Sequence, residues 1–158
     1  MATPASIQKH PIHPMLIPFP IGLWIFSFIC DMVYGLRWGD AFWKDMAFYS
    51  MAGGVIGALV AAVPGYLDYR SLTASDVQRI GRWHMVINLS LVILFVVNLW
   101  LRMDSEKTAI LPLILSLVGI AMLGISGWLG GELVYVHGVA VEPEMTVSTE
   151  MKKRGRAA

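Results

Sequence analysis

Charge is scarce in this chain and cysteine almost absent: 15% of its 158 residues are Asp, Glu, Lys or Arg, and one is Cys. That one, Cys30, lies inside an apolar stretch, which excludes an intramolecular disulfide and a thiolate metal centre. No GxSxG, phosphate-loop or GxGxxG pattern occurs, so hydrolase, NTPase and dinucleotide-binding readings lack their motifs. Neither HExxH nor ExxH is present, which removes support for a zinc protease or a ferritin-type di-iron site. A net charge of +1 says little about partners and gives no reason to expect nucleic acid. There is no lipidation signal, since the second residue is Ala2 and the cysteine is internal. The first apolar run has no Lys/Arg cluster before it and no small-residue cleavage site, and it contains Pro14, Pro18 and Pro20. It reads as a retained span, not a signal peptide.

What the chain has is apolar length. Hydrophobic residues make up 56% and the mean hydropathy is +0.63, with the charges gathered in short blocks. A hydrocarbon core of about 30 Å needs about 20 helical residues. Four stretches qualify, at about 15–36, 46–66, 83–101 and 109–134. Residues 37–45 and 102–108 are charged turns, and 68–82 is a longer polar segment with room for one interfacial helical turn. Such short connections force neighbouring helices antiparallel. The expected fold is all-α, an integral membrane four-helix antiparallel bundle over residues 1–142. A short extended segment should follow the fourth helix, and residues 143–158 should form a disordered, basic tail.

Eight basic residues (Lys9, Arg70, Arg79, Arg82, Lys152, Lys153, Arg154, Arg156) fall on the face that carries both termini, against four (Arg37, Lys44, Arg102, Lys107) on the other. The positive-inside rule assigns the first face to the cytoplasm. Gly53 and Gly57 in the second span, and Gly124, Gly127 and Gly131 in the fourth, mark close helix approach. They are read as packing within one bundle, with a homodimer through the GxxxG faces as the alternative.

All four histidines, His10, His13, His84 and His137, fall on the face with the termini, together with Asp68 and Glu132. Imidazole is the commonest protein metal ligand and carboxylate its usual companion. His10 and His13 sit one helical turn apart in HPIHP, where Pro11, Pro14, Pro18 and Pro20 predict an irregular backbone, and Asn88 lies one turn below His84. The expectation is a cofactor site. A b-type haem would take two axial imidazoles, His13 with His84 or His84 with His137. A non-haem iron, zinc or manganese site would add Asp68 or Glu132. Nearer the other face, Asp31, Ser50 and Asn98 form a second intramembrane polar set, read as a structural hydrogen-bond cluster or a proton relay.

The segments HPIHPMLIPFPIGLW, VPGYLDY, GRWH and GWLGGELVYVHGVAV resemble the bacterial four-span membrane proteins grouped as domain of unknown function 2231, over roughly residues 8 to 142. That resemblance implies a bacterial inner membrane location and no established activity. Fusion of some relatives to a Rieske-type iron–sulfur domain implies electron transfer. On this reading His10, His13, His84 and His137 line a redox site, with the ligand pairs named above, and the electron partner is a quinone or a Rieske-type protein. A cofactor-free accessory subunit is the remaining alternative.

Overall fold

The computed structural model describes residues 4–103 and 110–141. A two-residue hairpin, β1 (Ser6–Ile7) with β2 (His10–Pro11), leads into a short helix α1 (Ile12–Leu16), followed by α2 (Pro18–Gly35), α3 (Ala41–Arg70), α4 (Ser75–Met103) and α5 (Ile110–Gly131). α1 and α2 act as one span of 24 residues, Ile12–Gly35. The break is confined to Ile17, which keeps helical torsions (φ −62, ψ −25). Pro18 and Pro20 fall within the first turn of α2, where the missing N–H groups have no intrahelical partner, so the proline run starts a new helix without unwinding the chain. The turn into α3 has Arg37 in the left-handed region (φ 59), and Asp40 caps α3 by accepting from the Phe42 amide at 3.1 Å.

Two boundaries differ from expectation. Residues 68–82 were expected to be a polar connection with room for one interfacial helical turn, but α3 runs on to Arg70 and α4 starts at Ser75, leaving four residues between them. The polar sequence SDVQRIGR contains no proline and carries Asp76 in its first turn, an acid that favours a helix N-terminus. Gly81 then lets this extension pack under Leu72 and Tyr69, where a Cβ would meet Leu72 at 2.9 Å. The expected extended segment after the fourth span is instead a π-helical turn over Glu132–Val136, which the His137 amide closes onto the Glu132 carbonyl at 3.2 Å. Its alternating apolar residues imitate a strand, but a wide turn satisfies the backbone locally, as lipid requires. The tail beyond Val141 and the connection over residues 104–109 lie outside the described residues.

Contacts along the chain fix the directions. Contacts between α2 and α3 run in opposite senses along the two helices: Pro20 lies against Gly57, Trp24 against Gly54, and Ser27 donates to the Ala47 carbonyl at 2.7 Å. α4 and α5 pair the same way, Phe95 lying against Gly119. These helices are antiparallel. Each presents one narrow seam inward at alternating steps of three and four: on α4 it is Gly81, His84, Asn88, Leu91, Phe95, Asn98 and Arg102, and on α5 it is Pro112, Ser116, Gly119, Leu123, Ser126 and Gly130. That spacing is the signature of slightly inclined, left-handed helix packing. Midway along it, Trp24, Met51, Val55, Leu91, Phe95 and Leu123 form a dry core, with Trp24 stacked on Phe95 at 4.4 Å between ring centroids. The outer faces are large and apolar, Phe19, Tyr49 and Trp128 being 71%, 70% and 77% exposed, as suits contact with lipid.

The glycines divide between the two surfaces. A Cβ on Gly53 or Gly57 would touch Leu23 at 3.2 Å or Pro20 at 3.3 Å, so the α3 pair packs inside the bundle. Gly124 and Gly127 face open space and Gly131 meets only its own Tyr135 at 4.0 Å, so the α5 stripe does not pack inside as expected. Ser116, Gly119, Ser126 and Gly130 supply the close approach on that helix, one residue out of phase with the stripe.

Candidate functional site

His13 enters from the start of the first span and His84 from the first third of α4, and the seam spacing turns both rings toward the bundle axis. Their centroids lie 6.5 Å apart with planes at 87°. Both rings are pinned through the same nitrogen. His13 Nδ1 lies 2.8 Å from the Ala61 carbonyl and His84 Nδ1 lies 3.0 Å from the Ser126 carbonyl. A carbonyl only accepts, so each Nδ1 carries the proton and each Nε2 is left as an acceptor, which is the tautomer a metal takes.

The neighbours fit this arrangement closely. Gly65 lies beneath His13 and Gly130 beneath His84, where a Cβ would come within 2.8 Å and 3.1 Å of the rings. Any side chain at Gly65 would displace the imidazole. Pro64 removes an intrahelical hydrogen bond from the turn of α3 that receives His13. Asn88 secures His84 from below: its amide donates to Ser126 Oγ at 2.6 Å and to the His84 carbonyl at 2.7 Å. Two amide hydrogens are thereby used, and His84 Nε2, 3.2 Å from the same nitrogen, is left as the weakest of three acceptors.

The other expected ligands are placed elsewhere. His10 is exposed and its Nδ1 lies 3.0 Å from the Gln8 carbonyl in the hairpin turn. Asp68 is 8% exposed and accepts from the Ala5 amide at 3.0 Å, so it ties the N-terminal strap across the end of the bundle. The Ile12 amide donates back to the Ala5 carbonyl at 2.9 Å and completes the strap. His137 follows the π turn, and its Nε2 is buried without a hydrogen-bond partner. Glu132 borders an outward groove with Trp128 and Tyr135. Among the described residues no three of His, Cys, Asp and Glu stand close enough to hold a metal ion. The geometry therefore brings together two of the six expected ligands.

At the opposite end Asp31 and Asn98 do meet, around a residue assigned to a turn from the sequence. Arg102 donates to both oxygens of Asp31 at 2.6 Å and, through Nε, to Asn98 Oδ1 at 3.0 Å. Ser116 joins by donating to Asp31 at 3.2 Å. Ser50 is buried on α3 and is not part of this network. Ser126, Gly65, Gly130, Arg102 and Ser116 all escaped sequence reasoning. For α4 and α5 the missing signal was the three-and-four spacing that puts His84 and Arg102, or Ser116 and Ser126, on one seam.

A family described as predicted membrane protein (DUF2231) matches the chain over residues 9–143. No curated protein and no solved structure gives a match.

Proposed function

The chain belongs to the DUF2231 family of predicted membrane proteins, and we propose that it is a membrane electron-transfer protein that holds a b-type haem between His13 and His84 at the cytoplasmic end of its bundle. The observation that carries this is the pair of inward imidazoles, 6.5 Å apart and each fixed at Nδ1 by a backbone carbonyl. His13 and His84 would hold the group, and their ring separation of 6.5 Å is of the order that two imidazole ligands need around one metal. Two imidazoles with no third ligand beside them among the described residues favour haem over bare iron, zinc or manganese, which need three or four protein ligands.

A haem there supplies a one-electron couple. The chain's own residues would do the rest: His13 and His84 would bind, and Asn88 and Ser126 hold the His84 ring in its tautomer and orientation. The partner on this reading is a quinone in the bilayer or a Rieske-type protein at the inner membrane surface.

Purified protein in detergent is expected to show a Soret band that shifts on reduction. His13→Ala and His84→Ala should each abolish it while His10→Ala retains it, with helical circular dichroism unchanged in all three because packing, not ligation, holds the bundle. Absence of a Soret band from protein made in haem-replete cells, or its persistence in both axial variants, would falsify the assignment.

A further inference from the structure

Beside the end of α5, on the lipid-facing side, lies a groove of about 700 Å³ lined by Gly127, Trp128, Gly131, Glu132, Tyr135 and Val136. We propose that this groove binds the ring of a quinone or quinol, with the Glu132 carboxylate accepting a hydrogen bond from a quinol hydroxyl. The choice of occupant rests on the electron-transfer reading above.

Four observations support it. Volume comes first, since small-molecule sites fall at about 300–1,000 Å³. Second, the absence of side chains on Gly127 and Gly131 exposes backbone on which a flat ring can lie, and Trp128 and Tyr135, 77% and 89% exposed, flank it. Third, Glu132 is the one charged group of the lining, and among the described residues nothing hydrogen-bonds or pairs with its carboxylate. An acceptor at the membrane boundary with apolar surface around it matches a head that carries hydroxyls and a tail that stays in lipid. Fourth, Gly127 follows Ser126 and Gly131 follows Gly130, the two residues that touch His84, so the groove and the imidazole occupy two sides of the same turns of one helix. The helix gives way to the π turn at Glu132, an irregularity frequent at functional sites.

The test is photolabelling of the full-length protein in detergent with an azido-benzoquinol carrying one isoprenoid unit and kept reduced by ascorbate, read by peptide mass spectrometry. Label is expected within residues 127–136, displaced by excess unlabelled quinol and not by phospholipid. Gly127→Leu fills the groove from a position whose Cβ meets nothing, and Glu132→Ala removes the acceptor. Each should cut the displaceable label by roughly tenfold, the scale of one lost hydrogen bond to a charged group. Label elsewhere, label indifferent to both variants, or equal displacement by phospholipid would overturn the groove. His84→Ala should lose the Soret band and keep the label. A Soret band without label overturns the groove and leaves the haem standing, whereas label without a Soret band does the reverse.

Discussion

Arg102 shows what one residue can settle. The fork of its guanidinium meets both oxygens of Asp31, and the two side chains are 9% and 11% exposed, so the charges are satisfied inside the bundle by each other and by Asn98 and Ser116. Asp31 and Asn98, without Ser50, thus share with Arg102 and Ser116 a hydrogen-bonded clasp between α2, α4 and α5. Removing one partner strands the other charge: Asp31→Leu or Arg102→Leu should each cost about 3–5 kcal/mol in unfolding titrations in mixed micelles, and the double Leu variant should recover most of the loss. A double variant as unstable as the sum of the singles would refute the clasp. The sequence displayed Asp31 plainly because a carboxylate inside an apolar run is conspicuous. Arg102 was hidden, since it follows the last apolar residue of its span and hydropathy ends the helix before it. His13 and His84 were legible as candidates, but their Nδ1 anchors were not, because backbone carbonyls carry no residue code.

At the scale of the element, the helices were legible and their faces were not. Four apolar runs fix four spans, yet in lipid a helix is apolar all round and no amphipathic stripe announces its inner side. α5 illustrates the consequence: its conspicuous glycines 124, 127 and 131 face outward, and its inner seam uses serines and Gly119. Two substitutions separate these surfaces. Gly119→Ala would place a methyl 2.5 Å from buried Phe95 and should destabilise the bundle by about 1–3 kcal/mol. Gly124→Ala enters open space and should be neutral or stabilise by up to about 1 kcal/mol. Thermal melts of detergent-solubilised variants check the contrast, and equal losses at both positions would contradict the packing.

For the whole molecule, short connections and paired contacts put His13, His84, Asp68 and Glu132 at one end and the Asp31–Arg102 clasp at the other. Antiparallel order was legible from loop length, and the location of both termini on one side follows from an even number of spans. Which side faces the cytoplasm rests on Lys and Arg counts. A C-terminal fluorescent-protein fusion should be bright, and a C-terminal alkaline phosphatase fusion inactive, in whole cells; the opposite pair of results would invert the assignment. Convergence of all six expected ligands was the part of the reading that geometry narrowed, because lying at one end of a bundle does not bring side chains from four helices within bonding distance.

The dry core between the two ends has an electrical meaning. From the clasp to the level of Asp68 and Glu132, none of the described helices carries an Asp, Glu, Lys or Arg. A transmembrane voltage therefore drops across an insulating layer built around the Trp24–Phe95 stack, with no fixed charge in it to be pulled. On the proposed reading, an electron passing between the imidazole pair and the groove would stay on one side of that layer, at the end of the bundle that holds both.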